Sequence, residues 1–279
     1  MKKISLKYDT TVIVNLLIII CIVVLGLIYI SENLYKYTNV IRHTNGIYIP
    51  KIKLPKGSTA SMDMIGLIVY DGRIYTQTST DIEPSDAESF LGEKLGITKG
   101  DIDEWSKQDD YSVEFASNIG VQNIYTVKGY DKKFRIMTYN KIDGTIYSEF
   151  YECLNGITIK TGYDIFGILK IENNIKSAMY EDYNSWNNGE KKYKELLKLD
   201  KVYSFVGKLK DTIPYKSENL SYLWDEKNKT NKKLLYLTLK DSSRVRLVLY
   251  KDGYIGYGMS HVFFKMESED FNDLWNELT

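Results

Sequence analysis

The chain has few of the side chains on which most enzymes rely. Its 279 residues include only two histidines and two cysteines. The sequence contains no His-Glu-x-x-His, Cys-x-x-Cys, Gly-x-Ser-x-Gly, Ser-x-x-Lys or P-loop motif. The common routes to a catalytic metal, an activated nucleophile or a phosphate cradle are therefore excluded. An enzyme that uses only Asp and Glu for catalysis would escape this search.

Cysteine is too scarce for a disulfide-stabilised domain. Cys21 lies in an apolar run, which leaves Cys153 without a partner in the rest of the chain. We therefore expect no structural disulfide, and we interpret Cys153 as a small buried hydrophobic residue. The alternative, a catalytic Cys153–His261 pair, would need the fold to bring two distant residues together.

An excess of positive charge is also missing, because 37 basic residues balance 37 acidic ones. This neutral balance argues against nucleic acid as a partner. Tyrosine, in contrast, is abundant, with 24 residues. Its side chain joins an apolar ring to a polar tip and is enriched at interfaces, so the composition favours a binding surface.

One long uncharged stretch, Val12 to Ile30, has nineteen residues. Since roughly 20 apolar residues cross the hydrocarbon core, it is predicted to be a transmembrane helix. The first eleven residues carry three lysines, which favours a cytoplasmic tail at 1–11 and an extracellular position for the bulk of the chain. The expected localisation is the cell membrane, in a single pass. The alternatives are a cleaved signal peptide, lipidation at Cys21, and a reversed anchor that places the domains in the cytosol.

Composition divides the remaining residues into three parts. Residues 31–58 are rich in lysine and contain Pro50 and Pro55, and they are predicted to be a basic juxtamembrane linker. Residues 59–199 are expected to form a first extracytoplasmic α+β domain, and residues 200–279 a second one with a β-meander and a C-terminal helix. The predicted fold class is α+β, with one N-terminal transmembrane helix followed by antiparallel β-rich domains and a few short helices.

Runs of β-forming residues that flank tight turns predict antiparallel hairpins. Asp71-Gly72 and Asp143-Gly144 suit two-residue type I′ turns, which need positive φ at both central positions. The strands assigned to these two hairpins are 64–70 with 73–78, and 134–140 with 145–151.

The pattern changes around residue 200. Residues 186–200 are predicted to form a short amphipathic helix, and Val202–Leu209 a strand. Near the end of the chain, four apolar residues at i, i+3, i+4 and i+7 predict a helix that begins after Ser268 and packs on the meander. These four residues are Phe271, Leu274, Trp275 and Leu278.

The most uneven charge lies in residues 81–114, with eleven acidic residues against three lysines. Ca²⁺ takes about six to eight oxygen ligands, and five of these side chains could supply a site: Asp101, Asp103, Glu104, Asp109 and Asp110. Their spacing matches no EF-hand loop, so a solvated acidic face is the alternative. No other metal or cofactor is expected.

The glycine-rich run 253–258 superficially suggests a dinucleotide-binding loop. Its glycine spacing is not that of the loop, and no βαβ unit follows, so this function is excluded. Glycines beside Tyr254 and Tyr257 could instead open a groove to a ligand, or they could serve close packing.

Four runs are similar to segments of uncharacterised membrane-anchored or secreted proteins of low-GC Gram-positive bacteria. They are IGLIVYDGRIY (65–75), IYTVKGYDKKFRIM (124–137), TGYDIFGILKI (161–171) and DGYIGYGMSHVFFKMESEDFNDLWN (252–276). The similarity covers most of residues 60–279. It implies an extracytoplasmic position and no particular activity, and it transfers no site residue.

The function expected from these observations is that of a non-enzymatic binding or accessory module of the cell envelope. Its partner would be another envelope protein or a cell-wall polymer. The alternatives are a carboxylate-dependent envelope hydrolase or glycan-processing enzyme, and a secreted protein with a cleaved signal peptide.

Overall fold

The computed structural model describes residues 20, 22–28, 46–53, 65–103, 105–258 and 260–278. The chain divides into two compact units, residues 1–41 and residues 42–279. The second unit is built from short strands, with α-helices of at most ten residues among its described residues.

In chain order, its described strands are β1 (Ile47–Ile49), β2 (Leu67–Tyr70), β3 (Arg73–Gln77), β4 (Thr80–Asp81), β5 (Leu91–Ile97), β6 (Asn123–Val127), β7 (Arg135–Ile142), β8 (Thr145–Glu152), β9 (Ile157–Ile159), β10 (Ile175–Asp182), β11 (Lys194–Glu195), β12 (Ile213–Lys216), β13 (Lys232–Leu239), β14 (Arg244–Tyr250), β15 (Tyr254–Gly256) and β16 (Val262–Lys265). The α-helices of the same part are α1 (Ala87–Phe90), α2 (Tyr183–Asn187), α3 (Asp200–Leu209) and α4 (Glu269–Glu277).

The strands form two large antiparallel sheets. The six-stranded sheet has the order β2-β3-β8-β7-β6-β5. The eight-stranded sheet has the order β11-β10-β13-β14-β15-β16-β12, and β4 also pairs with β14. β1 and β9 make a separate pair. The antiparallel, β-rich architecture with short helices, and hence the α+β composition, is confirmed.

Both predicted hairpins are present with the predicted turns. Asp71 and Gly72 have φ of 51° and 64°, and Asp143 and Gly144 have φ of 50° and 83°. These angles match the type I′ turn, whose twist suits adjacent antiparallel strands. The turns set the register, with Tyr70 opposite Arg73 in the first hairpin.

The strand predicted at Val202–Leu209 is wrong, because this segment belongs to α3. Its valine and phenylalanine residues have high strand propensity, yet the buried ones recur at helical spacing. Asp200 in the first turn and Lys208 in the last turn suit the helix dipole. The buried positions of α3 are Val202, Phe205, Val206 and Leu209.

The helix predicted over residues 186–200 is also wrong. α2 ends at Asn187, and β11 occupies Lys194–Glu195. Between them, Gly189 and Lys191 have φ of 66° and 53°, and this left-handed conformation ends a right-handed helix.

The C-terminal helix lies where the sequence predicts it. α4 begins after Ser268, although the Ser268 hydroxyl makes no capping hydrogen bond. Phe271 and Leu274 are buried in the largest apolar cluster, together with residues of α3 and of the central strands β13 and β14. The Phe271 ring lies 6.1 Å from that of Phe205, so α3 and α4 share one core with the eight-stranded sheet.

The larger sheet takes strands from a wide span of sequence. β10 pairs with β13 along its length, and β4 pairs with β14. Strands from both sides of residue 200 therefore lie side by side in one sheet.

The transmembrane helix predicted over Val12–Ile30 must be corrected. In the described part of the chain, no helix has the length and apolarity needed to cross a membrane. The helical residues there are 20 and 22–28. Residues 12–19, 21 and 29–30 lie outside the described residues. The fold class with a transmembrane helix and the single-pass localisation in the cell membrane are therefore wrong.

Candidate functional site

An open cleft of about 630 Å³ has residues of both large sheets in its walls. The six-stranded sheet contributes Gln77 of β3 and residues 148–150 of β8 to the lining, and the eight-stranded sheet contributes three residues of β14. β3 pairs with β8, whereas β4 pairs with β14. The chain thus passes from one sheet to the other between β3 and β4, and residues 78–82 line the cleft.

Trp186 is held in the cleft by α2, the helix that follows β10. The neighbouring Ser185 is buried, and its hydroxyl donates to Glu181 at 2.8 Å and accepts from the backbone N–H of Lys192 at 2.9 Å. These bonds fix α2 on the sheet, and Trp186 remains 38% exposed. Part of its indole is therefore available to a ligand.

Trp224 reaches the same cleft from a 3₁₀ segment, Ser217–Trp224. Leu220 and Leu223 of this segment are buried and anchor it, whereas Trp224 remains 49% exposed. The edge-on contact between Trp224 and Phe263, with ring centroids 5.4 Å apart, fixes the orientation of the indole. A second aromatic surface thus faces the cleft.

Aromatic rings and glycine form the remainder of this surface. Phe263 packs edge-on against Tyr250 at 5.4 Å. A Cβ at Gly256 would lie 2.9 Å from the Phe263 ring, so close packing requires glycine there. Gly256, Tyr257 and Gly258 also line the cleft. Close packing is therefore observed at Gly256, and a ligand groove beside the glycine-rich run stays a prediction.

Arg246 of β14 places a positive charge in the cleft. Its guanidinium carbon lies 5.6 Å from the centre of the Trp186 ring, and Nη2 donates to the Ser79 hydroxyl at 3.3 Å. Among the described residues, no carboxylate forms an ion pair with it. A guanidinium carries five N–H donors in a rigid plane, so Arg246 has donors to offer a ligand.

Two carboxylates in the cleft provide acceptors. Asp81 lies 3.8 Å from Arg244. Glu149 accepts hydrogen bonds from Gln77 Nε2 at 3.3 Å and from the Tyr151 hydroxyl at 2.8 Å. Each carboxylate is therefore oriented by donors of the protein and retains lone pairs for a ligand.

A hydrogen-bond network around a buried ion pair joins the two sheets behind the cleft. Arg135 Nε donates to Glu152 at 2.9 Å, and both residues are at most 1% exposed. The Tyr257 hydroxyl lies 2.8 and 2.9 Å from the two Glu152 oxygens, 2.8 Å from Thr78 Oγ1 and 2.7 Å from Thr80 Oγ1. Arg135 and Glu152 belong to the six-stranded sheet, whereas Thr80 and Tyr257 belong to or follow strands of the other.

Burial and charge keep this network in one protonation state. Burial raises the pKa of Tyr257 well above its usual value, and the Glu152 charge raises it further. Burial alone would lower the pKa of Arg135, but Glu152 and Tyr257 outweigh that effect and raise it. A neutral tyrosine and a charged arginine hold the cleft wall in place, and neither is suited to exchange protons with a substrate.

Of the five acidic residues proposed for calcium, the four that the structure describes do not line this cleft. Three of their carboxylates accept bonds from nearby backbone N–H groups: Asp101 from Ser117 at 3.3 Å, Asp103 from Trp105 at 2.9 Å and Asp110 from Lys107 at 2.6 Å. Asp109 is exposed, and Glu104 lies outside the described residues. Across the described positions, no three His, Cys, Asp or Glu side chains are arranged to hold a metal. The calcium site stays a prediction.

The cysteine and the histidine weighed from the sequence as a catalytic pair have different surroundings. Cys153 is buried just after β8, and burial raises the pKa of its thiol, which makes it a poor nucleophile. His261 is exposed and lines the cleft, whereas Cys153 does not.

A comparison of the chain with protein-family models, with curated proteins and with solved structures found no match. The interpretation of the cleft therefore depends on its own residues.

Sequence reasoning missed the residues that define this cleft, namely Trp186, Trp224 and Arg246. Tryptophan is rare here, with four residues, and Trp224 stands in an otherwise polar segment. A rare tryptophan in a polar segment was the feature of the sequence that could have indicated this site. No spacing in the sequence relates Trp224 to Trp186, because they approach one cleft from separate elements.

Proposed function

We propose that this protein is a non-enzymatic binding module whose cleft takes a carbohydrate chain. The observation that carries the proposal is the pair of part-exposed indoles, Trp186 and Trp224, in one cleft that also holds a guanidinium and two carboxylates. A cell-wall polymer, expected from the sequence as a partner, belongs to this class of ligand.

Sugar rings match this combination of groups. A pyranose has a face of C–H groups, which packs on the electron-rich face of an indole, and a rim of hydroxyls that both donate and accept. Arg246 offers donors to such hydroxyls, and Asp81 and Glu149 offer acceptors. Binding sites commonly combine a mostly apolar lining with a few oriented polar groups.

The contacts of Asp81 and Glu149 within the protein favour binding over hydrolysis. A glycosidase needs one carboxyl group as an acid and another as a base or nucleophile. Asp81 faces Arg244, and Glu149 accepts two hydrogen bonds from neighbouring side chains. Both carboxylates therefore have partners within the protein, which favours a role as fixed hydrogen-bond acceptors.

A glycan array followed by calorimetry tests the proposal. The full-length protein should bind at least one class of oligosaccharide. Trp186→Ala and Trp224→Ala should each weaken that binding by roughly tenfold or more, since a buried aromatic contact is the usual centre of binding energy.

Trp105→Ala is the matched control, because Trp105 is 80% exposed and does not line the cleft. This variant should bind like the unchanged protein. Absence of binding to every sugar, or binding that ignores both cleft tryptophans, would contradict the proposal. Shortened oligosaccharides after incubation would show hydrolysis and contradict the non-enzymatic role.

A further inference from the structure

A second open cleft of about 720 Å³ adjoins the first one. The two clefts share five lining residues: Ile65, Ser217, Ser260, His261 and Val262. A chain-like ligand that fills the first cleft can therefore continue into the second along this shared edge.

The backbone of the shared edge is well held. The carbonyl of His261 accepts from the backbone N–H of Ser217 at 3.1 Å, and the Ser260 hydroxyl donates to the carbonyl of Tyr257 at 2.9 Å. His261 has φ of 53°, an uncommon conformation for a residue with a side chain. Its exposed ring stands where the two clefts meet.

Positive charge distinguishes the second cleft from the first. Lys51 and Lys53 line it and are exposed. Within the described residues, neither forms an ion pair. Lys216 also lines it, but it pairs with Glu218 at 3.2 Å, so these two charges cancel. The second cleft thus presents two ammonium groups that pair with no carboxylate in the described part of the chain.

The segment that carries these lysines is anchored by its apolar residues. Ile47 and Ile49 are buried in β1, which pairs with β9, and Ile52 packs against a buried cluster. Lys51 and Lys53 flank Ile52, so the anchored backbone holds both beside the cleft.

We infer that the carbohydrate ligand is an acidic chain that extends from the first cleft past His261 into the second. Its carboxylate or phosphate groups pair there with Lys51 and Lys53. The inference depends on the proposed carbohydrate-binding function and adds the charge and the minimum length of the ligand.

Nucleic acid fits these surfaces less well. Single-stranded nucleic acids need a groove that is positive along its length. Here the indoles share the first cleft with Asp81 and Glu149, whose charges repel a phosphate backbone. A sugar chain with hydroxyls in the first cleft and acidic groups in the second meets no such repulsion.

Calorimetry with matched ligands tests the inference on the full-length protein. The carboxylate arm compares xylotetraose that carries one 4-O-methylglucuronic acid with unsubstituted xylopentaose and with xylobiose that carries the same acid. The phosphate arm compares mannopentaose with one terminal phosphate with unphosphorylated mannopentaose. The charged long ligand of at least one arm should bind at least about fivefold tighter than its uncharged counterpart. Lys51→Gln/Lys53→Gln should remove most of that difference, since an exposed ion pair changes affinity by up to about fivefold.

Lys176→Gln/Lys198→Gln is the control, because these exposed lysines line neither cleft. It should leave every affinity unchanged. Equal binding of charged and uncharged ligands in both arms, or an effect of the control pair as large as that of Lys51 and Lys53, would overturn the inference. If Trp186→Ala and Trp224→Ala still weakened sugar binding by roughly tenfold in that case, the proposed function would stand without this inference. Tighter binding of an oligothymidylate than of any sugar would overturn both this inference and the proposed carbohydrate-binding function.

Discussion

At the scale of single residues, the most consequential group is the buried pair Arg135 and Glu152. The Arg135 guanidinium is also stacked at 4.2 Å from the Tyr130 ring centre and 4.9 Å from that of Phe150. Taking both charges out of water is costly, and the pair compensates only while both partners remain. Removing one partner should therefore lower the free energy of unfolding more than replacing both with neutral side chains.

We expect Arg135→Met to lower the free energy of unfolding by roughly 3–5 kcal/mol, because it leaves Glu152 charged, buried and short of donors. The double variant Arg135→Met/Glu152→Gln should be more stable than the single variant, since its buried side chain is neutral. Urea unfolding followed by circular dichroism measures both. A double variant less stable than Arg135→Met would show that the lone charge is not the cause.

At the scale of elements, tight turns were the features that sequence predicted best. A type I′ turn is specified by two adjacent residues, so Asp71-Gly72 and Asp143-Gly144 could be recognised without knowledge of the fold. The segment 200–209 could not. Its valine and phenylalanine side chains favour a strand. The segment is nevertheless helical, because a helix buries these side chains against α4 and distant strands.

Two turn glycines with similar φ should respond differently to alanine. Gly144 has φ of 83°, and a Cβ there would have no heavy atom within 4 Å. Gly253 has φ of 85°, and its Cβ would lie 2.6 Å from the Met266 carbonyl oxygen. Gly144→Ala should cost roughly 1–2 kcal/mol from backbone strain alone, and Gly253→Ala should cost more because β16 must also move. Thermal unfolding of both variants checks this; equal losses would contradict the predicted contact.

At the scale of the whole molecule, both large sheets contain buried tyrosines. Burial raises the pKa of Tyr250 to about 12, and it also raises the pKa values of Tyr75, Tyr151, Tyr236 and Tyr254. In the unfolded chain tyrosine titrates near pH 10, so folding raises these pKa values.

The consequence is a loss of stability in alkali. Below about pH 10 these tyrosines are protonated in both states, and their contribution to stability is fully present. As the pH rises from there towards the folded pKa values, the unfolded chain releases protons that the folded chain retains, and stability falls. The midpoint of urea unfolding should therefore drop steeply above about pH 10. Tyrosinate absorbance that appears for every tyrosine near pH 10, with the fold intact, would contradict this.

The sequence by itself determined the antiparallel β-rich composition, the two type I′ hairpins and the C-terminal helix, because each depends on residues that are neighbours in the chain. It did not determine the state of Val12–Ile30, where apolarity suggested a spanning helix that the described residues do not contain. Only the tertiary structure decided the candidate site. Trp186 and Arg246 reach one cleft because β10, β13 and β14 pair in one sheet, and Trp224 joins them by packing on Phe263 of β16. Such pairing depends on packing of the whole core.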